Sequence, residues 1–139
     1  MEITANAVQT VLENQNVIFT DNVICGSASI IHRDGSGLIT LRGITSQCRA
    51  RFKVSFGANI AIPTGGTVEP ISLAITIEGE PIGTTTMTIT PAAVENFFNI
   101  SSGIYVDVPR GCCLSIGVKN INTQSILVQN ANLIVERVA

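Results

Sequence analysis

The sequence predicts an all-β domain, a sandwich or barrel of short strands, and three observations support this. Apolar and polar residues alternate with a period of two through several runs. Thr, Ile and Val, which favour strands, are frequent in those runs. Turn sequences rich in Gly and Pro separate the runs at short intervals. The 139 residues suffice for one domain, 1–139, with its own core.

The strands follow from the alternation. In residues 51–56, RFKVSF, the aromatic and Val side chains share one face, and residues 71–77, ISLAITI, repeat the pattern. Residues 83–91, 103–109 and 113–118 predict a strand each, and residues 125–138 predict one or two. Residues 91–98, PAAVENFF, predict one helical turn or an irregular loop.

The connections predict how these strands are joined. The tight turn Glu78-Gly79-Glu80 between two alternating runs predicts a hairpin. Residues 34–37, DGSG, predict a second hairpin turn. The Gly- and Pro-rich residues 59–70 are long enough to cross between two sheets, as a Greek key or jelly roll requires. Residues 1–20 are too apolar for a free tail and predict an arm or an outer strand.

Composition limits the functions that fit. Charged residues make up 13% of the chain, against about 25% in ordinary soluble domains. No apolar run approaches the roughly 18–20 residues of a membrane span. The excess apolar surface therefore predicts burial against other copies of the chain. A net charge of -2, 4% aromatics and no Trp argue against nucleic acid. No secretory signal is visible, which predicts a protein that stays in the cytoplasm or leaves within a particle.

Four stretches resemble the TNF-like jelly roll of complement-type heads, exosporium glycoproteins and small phage structural proteins. Residues 15–21 resemble the family's opening strand and residues 48–56 its central strand. Residues 73–83 are similar to its hairpin, and residues 130–138 to its last strand. The resemblance implies a jelly-roll β-sandwich that forms a homotrimer. The family's Gly-Tyr ahead of the central strand is missing here, since Cys48-Arg49-Ala50 stands there.

Residues 1–20 and 30–43 resemble small proteins encoded among virion genes of phages and prophages of gut Firmicutes. The resemblance implies a non-enzymatic structural virion protein, a capsid decoration or head-fibre component assembled in the bacterial host cytoplasm. Its partners would be its own copies and the major capsid protein or another virion protein. The alternative is a trimeric tip that binds a receptor or host glycan through residues 63–70 and 91–99.

The four cysteines, Cys25, Cys48, Cys112 and Cys113, do not have the spacing of a zinc site. Neighbouring strand residues point to opposite faces, so one of Cys112 and Cys113 is expected in the core. Because free Cys is among the most buried residue types, we expect packing roles. The alternative is a disulfide between Cys25 and Cys48.

No catalytic residue, metal or cofactor is predicted. His32 stands near Asp34 and Ser36, but three residues within five positions of one turn rarely form a triad. A histidine that senses pH or lies in an interface fits the same residues. A hydrolase on this scaffold would need His32, an acid and a nucleophile to converge in one cleft.

The sequence offers one candidate contact for an anionic partner. Arg49, Arg51 and Lys53 have the same parity and therefore line one face of one strand. Such a row of cations attracts a capsid, glycan or polyphosphate surface that carries negative charge. The alternative interpretation is a solvated outer face.

Overall fold

The computed structural model describes residues 1–26 and 28–139, which fold into two antiparallel sheets packed face to face. Twelve strands form in that part of the chain. They are β1 (Glu2–Ala5), β2 (Gln9–Val11), β3 (Asp21–Ile24), β4 (Ile30–His32), β5 (Leu38–Arg42), β6 (Arg49–Ala61), β7 (Ile71–Ile77), β8 (Glu80–Pro81), β9 (Met87–Ile89), β10 (Phe98–Pro109), β11 (Cys113–Asn120) and β12 (Ile126–Arg137).

Sheet A has the order β10-β6-β12-β1-β3, with β2 paired to β12. Sheet B has the order β4-β5-β11-β7-β8, with β9 paired to β7. From β5 to β7 and again from β9 to β12, each connection passes to the other sheet. Neighbours in a sheet are therefore distant in sequence, which is the Greek-key connection of a jelly roll. The predicted all-β jelly roll is confirmed.

The core lies between the sheets and is built from the inward positions of the alternating strands. Phe52, Val54 and Phe56 of β6 are at most 2% exposed, as their spacing predicts. Phe19 packs edge to face on Phe56, with ring centroids 6.2 Å apart. Each buried side chain of this size contributes about 1.5–3 kcal/mol to folding, so the alternation itself supplies most of the driving force.

Three predicted segments differ in detail. In residues 83–91 only β9 is a strand, because Gly83–Thr85 form a 3₁₀ turn that the buried Thr85 hydroxyl holds by donating to the Ile82 carbonyl at 2.7 Å. Residues 125–138 form one strand whose register shifts between Gln129 and Asn132, where Asn130 adopts a φ of 52°. Residues 91–97 form turns and bends without helix, the irregular alternative.

The first twenty residues belong to the sandwich. Strand β1 lies between β12 and β3 in sheet A, and β2 extends the pairing of β12. Residues 15–21, which resemble an opening strand, instead form an extended segment with single bridges from Asn16 to Lys119 and from Phe19 to Ser36. A hydrogen bond joins the segment to sheet B: the Val17 N–H donates to the Val118 carbonyl at 2.8 Å.

Candidate functional site

The outer face of sheet A is a surface formed by neighbouring hydrogen-bonded strands. Its side chains are the positions of β10, β6, β12 and β1 that alternate with the buried ones. The register aligns them in rows across the sheet. One row runs from Gly103 through Ser55 to Ile134, and the next from Ser101 through Gly57 to Asn132. A third row contains Asn99, Asn59 and Gln129.

One half of this face carries no charged side chain on β10, β6 and β12. We call it the uncharged patch, and it consists of Ser55, Gly57, Asn59, Ser101, Gly103, Asn132 and Ile134. Its residues are small or carry amides, and Ile134 leaves 42% of its surface in solvent. At its β1 edge, Glu2 accepts a hydrogen bond from the Asn132 amide. Glycine and serine on β6 leave few protruding side chains in the middle of the patch.

The other half of the same strands is dense in charge. We call it the charged patch, and it consists of Arg49, Arg51, Lys53, Tyr105, Asp107 and Glu136. Lys53 stands opposite Tyr105 on one side and Glu136 on the other. Arg49, Arg51 and Lys53 therefore share one face, as their parity predicts. The anionic partner itself stays a prediction.

Asp107 forms ion pairs with two of the three cations, Arg49 and Arg51. Its carboxylate accepts from Arg51 Nε at 2.8 Å and Nη2 at 3.1 Å, and Arg49 Nε lies 3.1 Å away. The hydrogen bond from Arg51 lowers the pKa of Asp107 below its usual 3.8, with the charges of both arginines adding to it. The same bond raises the pKa of Arg51 above its usual value. All three side chains are well exposed, so these pairs are accessible to a competing anion.

The prediction that the cysteines are buried is wrong. All four thiols are free and exposed, although burial was expected. Cys112 lies in the turn before β11, where Gly111 has a φ of 78°, so the alternation that would send one of the pair inward begins only at Cys113. Cys113 is the first residue of that strand and points outward, so both members of the pair face solvent.

The alternative disulfide between Cys25 and Cys48 is not formed in the structure either. Cys25 follows β3 at one edge of sheet A, whereas Cys48 precedes β6, three strand positions away. Three inter-strand spacings amount to about 14 Å. A disulfide needs its two Cα atoms within about 7 Å, and both cysteines are free in the structure.

His32 is a buried structural residue, 8% exposed. Its Nε2 lies 2.9 Å from the Ser36 carbonyl oxygen, so Nε2 carries the proton and donates, because a carbonyl only accepts. Its Nδ1 lies 2.5 Å from the Asn22 side-chain oxygen. The Ser36 hydroxyl is directed at the backbone of Leu38, not at the ring. The three residues considered for a triad therefore do not form one.

The two loops predicted for recognition, residues 63–70 and 91–99, meet at the end of the sandwich opposite the charged patch. The Glu95 N–H donates to the Ile62 carbonyl at 2.7 Å, and the Thr64 hydroxyl donates to the Glu95 carboxylate. Gln124 closes the cluster by bonding the backbone of Thr67 and the Glu69 carboxylate. These hydrogen bonds hold the two loops against each other.

A groove of about 390 Å³ lies beside sheet B, between residues 14–18, the turn after β4 and the β7–β8 hairpin. Its polar lining comes from Asn14, Gln15, Asn16, Ser36 and Lys119. The groove is amide-rich because residues 14–16 form a loop anchored on Asn120, whose carbonyl accepts from the Asn14 N–H at 3.0 Å. Sequence reasoning missed this site, since its lining comes from four separate segments.

Among residues 1–26 and 28–139, no three or more His, Cys, Asp or Glu side chains come together as a metal site would require. Within the same ranges, no helix is both long and apolar enough to traverse a bilayer.

Comparison with known proteins identifies the fold. No protein-family model matches the chain, and no curated protein matches it by sequence. Among solved structures, the globular domain of zebrafish complement 1qA protein matches with a TM-score of 0.64 at 12% identity, over 96% of this chain and 93% of that one. Murine APRIL at pH 5.0 matches with a TM-score of 0.58 at 8% identity, over 95% and 96%. The chain has a jelly-roll fold similar to that of these two structures.

A sugar-binding protein, the EclA C-terminal domain, gives a TM-score of 0.44 at 13% identity, over 95% of this chain and 79% of that one. A score below 0.5 does not establish a common fold. The two stronger matches share the architecture at identities too low to transfer a function, because one fold hosts many activities. Function is therefore argued from the surfaces of this chain.

Proposed function

We propose that the protein is a non-enzymatic structural module that assembles into a homotrimer, with the uncharged patch as the contact between copies. The single observation that carries this proposal is the composition of that patch. A face of Gly, Ser and Asn with one exposed Ile packs closely against a copy of itself without removing an ion from water. A solvated face in this position would carry the charges seen in the other half of the sheet.

The assembly state is tested with a substitution that the single chain tolerates. A Cβ added at Gly57 meets only the Ile100 carbonyl oxygen, at 3.8 Å, which is an ordinary contact. Gly57→Arg is therefore expected to fold and to block the patch. Gly83→Arg is the matched control, because a Cβ added at Gly83 would meet no described atom within 4 Å and the residue lies beside sheet B.

Light scattering on size-exclusion eluates distinguishes the outcomes. The wild type and Gly83→Arg are expected at three times the 14.6 kDa of one chain, and Gly57→Arg at one chain. A wild type that is monomeric at micromolar concentration contradicts the proposal. So does a Gly57→Arg variant that is folded by circular dichroism and remains assembled.

The place we propose for this trimer is a virion, as a capsid decoration or head-fibre component assembled in the bacterial host cytoplasm. Its support is the sequence resemblance together with the low charge of the whole chain, 13%. Co-sedimentation of the tagged protein with purified phage heads tests it, and intact host cells serve as the comparison. Binding to heads alone supports a decoration role, and binding to cells alone supports a receptor-binding tip.

The groove beside sheet B favours a second candidate function, the binding of a neutral host glycan. Its volume lies within the roughly 300–1,000 Å³ of small-ligand sites. Amide groups from Asn14, Gln15 and Asn16 offer both donors and acceptors for sugar hydroxyls. Glycan-array binding that is lost in Gln15→Ala with Lys119→Ala, and kept in Gly83→Arg, would support this function.

A further inference from the structure

Five of the chain's six arginines gather at one end of the sandwich, where three exposed thiols also lie. We call this region the arginine end. Its arginines are Arg42, Arg49, Arg51, Arg110 and Arg137, and its thiols are Cys48, Cys112 and Cys113. A fourth exposed thiol, Cys25, lies at the same end of sheet A but at its far edge, after β3, three strand positions from β6. Exposed free cysteines are rare on protein surfaces, and the proposed assembly does not require them.

Backbone hydrogen bonds bring the separate segments of this end together. The Arg110 N–H donates to the Cys48 carbonyl at 3.0 Å. The Gly43 N–H donates to the Cys112 carbonyl at 2.9 Å. Gly43 permits this approach, because a Cβ there would lie 2.1 Å from the Pro109 carbonyl oxygen.

The last strand adds the fifth arginine. Arg137 Nη1 donates to the Ile44 carbonyl at 2.5 Å and to the Ser29 hydroxyl at 3.2 Å. Strand β5 contributes Arg42, which pairs in register with Cys113. Four segments distant in sequence therefore bring their arginines to the end of the sandwich that carries these thiols.

Basic residues are concentrated at the arginine end, although the chain as a whole is poor in charge. Six of the eight basic residues, these arginines and Lys53, lie at this end or in the adjoining charged patch, whereas only two of the ten acids, Asp107 and Glu136, lie there. The remainder of the molecule is correspondingly acidic. The potential at the arginine end is thus positive although the net charge of the chain is -2.

Cys48 has the most developed surroundings of the three thiols. It lines a hollow of about 220 Å³ together with Gln47, Arg49, Arg51 and Ala139. The hollow is smaller than a drug-sized pocket, so it accommodates one anionic group beside the sulfur. Guanidinium groups bind carboxylates through paired hydrogen bonds, as Arg51 does with Asp107.

We propose that the arginine end is a site of thiol–disulfide exchange for disulfides that carry negative charge, with Cys48 as the nucleophile. The Cys48 thiolate attacks one sulfur of the incoming disulfide, and that disulfide breaks. A mixed disulfide forms at Cys48, and the second sulfur leaves as a thiolate that takes up a proton from water. Arg49 and Arg51 hold the anionic group of the incoming disulfide and raise its concentration beside the sulfur. No external oxidant is needed, because the incoming disulfide supplies the oxidising equivalent.

The test compares disulfides of opposite charge at two thiols of the same molecule. The folded protein is incubated with 3,3′-dithiodipropionate, which is anionic, with cystamine, which is cationic, or with neutral hydroxyethyl disulfide. Mixed disulfides at Cys48 and at Cys25 are quantified over time by peptide mass spectrometry. Cys25 is the internal control, since it is exposed and follows a strand three positions away from the one that carries Arg49 and Arg51.

We expect Cys48 to react at least about fivefold faster with the anionic disulfide than with the cationic one in low salt, and Cys25 to show a much smaller ratio. The ratio at Cys48 is expected to collapse in 1 M NaCl, where the Debye length is about 3 Å. Arg49→Gln with Arg51→Gln is expected to reduce it as well. Equal rates for both disulfides at Cys48 in the wild type would overturn the proposal, as would the same anionic preference at Cys25. The comparison in the wild type stands even where the arginine variant fails to fold.

Discussion

The uncharged patch and the charged patch lie on the same strands of sheet A, in adjoining rows of one continuous face. Strand β6 runs through both, with Ser55, Gly57 and Asn59 in the first and Arg49, Arg51 and Lys53 in the second. The same strands pair in both halves, with a register shift in β12 between Gln129 and Asn132 beside the uncharged patch, and the two halves differ in the chemistry of their outward side chains. A single alternating strand thus supports two surfaces with different chemistry, because its inward residues alone fix the fold.

The physical difference lies in what each surface loses on contact with a partner. The uncharged patch can be covered with little desolvation of ions, which favours a permanent contact between copies. The charged patch keeps its ions hydrated at the surface, which favours reversible, salt-sensitive contacts. We therefore expect substitutions and salt to act on the two halves in opposite ways.

The largest effect is expected from a charge placed in the uncharged patch. Ile134→Lys should weaken association between copies by roughly 2 kcal/mol, or about thirtyfold in the dissociation constant, since it removes an apolar contact and buries an ion. Analytical ultracentrifugation measures the shift. Lys53→Ala, in the charged patch, is the matched control and should change association by less than about twofold. Equal weakening by both substitutions would contradict the assignment of the contact between copies to the uncharged patch alone.

The second-largest effect is expected from salt, which should weaken the reaction at the charged half and leave the contact at the uncharged half unchanged. Raising NaCl from 50 mM to 500 mM should leave the mass of the wild-type assembly unchanged, because the uncharged patch contains no ion pair. The preference of Cys48 for an anionic disulfide should fall several-fold over the same range, because it depends on exposed charges. Light scattering and peptide mass spectrometry on the same samples follow both. Dissociation of the assembly by salt would locate the contact between copies in the charged patch instead.

A smaller effect is expected at Asp107, which competes for the arginines. Asp107→Asn releases Arg49 and Arg51 from their carboxylate partner and should raise the exchange rate of Cys48 with an anionic disulfide about twofold to threefold. The rate of Cys25 should not change. Glu136→Gln provides a control that removes a charge of the same sign from the same patch without touching these arginines. A slower reaction in Asp107→Asn would show that the orientation which Asp107 gives to the two arginines favours the reaction more than their release from Asp107 does.

The smallest effect is the dependence of stability on pH through Asp107. Because Arg51 lowers the pKa of the folded carboxyl below 3.8, the ionised group stabilises the folded state above that value. The contribution is lost as the pH falls through the lower folded pKa. Urea denaturation between pH 5 and pH 2.5 should therefore show a slightly smaller loss of stability for Asp107→Asn than for the wild type. An identical loss in the two proteins would mean that the exposed pair contributes nothing to folding.

The sequence was informative wherever one segment carried the whole signal. The alternation in residues 51–56 and 71–77 predicted which side chains form the core, and the DGSG turn predicted the hairpin of β4 and β5. It also put Arg49, Arg51 and Lys53 on one face. It misplaced the cysteines, because the rule of alternation was applied to Cys112 and Cys113 together, although Cys112 lies before the strand and Cys113 is its exposed first residue. It also gave no sign that Asp107, more than fifty residues away, would pair with two of the cations.

The amino-acid sequence by itself determined the fold class, the inward and outward sides of the strands and the low charge that predicts self-association. These are local properties, since the period of a strand and the choice of its side chains need no knowledge of the partner strand. Only the tertiary structure decided which outward residues become neighbours. The order of strands in sheet A divided its face into two patches, and the closure of the end loops brought five arginines to the end of the sandwich that carries Cys48, Cys112 and Cys113. The physical reason is that a Greek-key connection places distant segments side by side, so a surface site is a property of the register between strands.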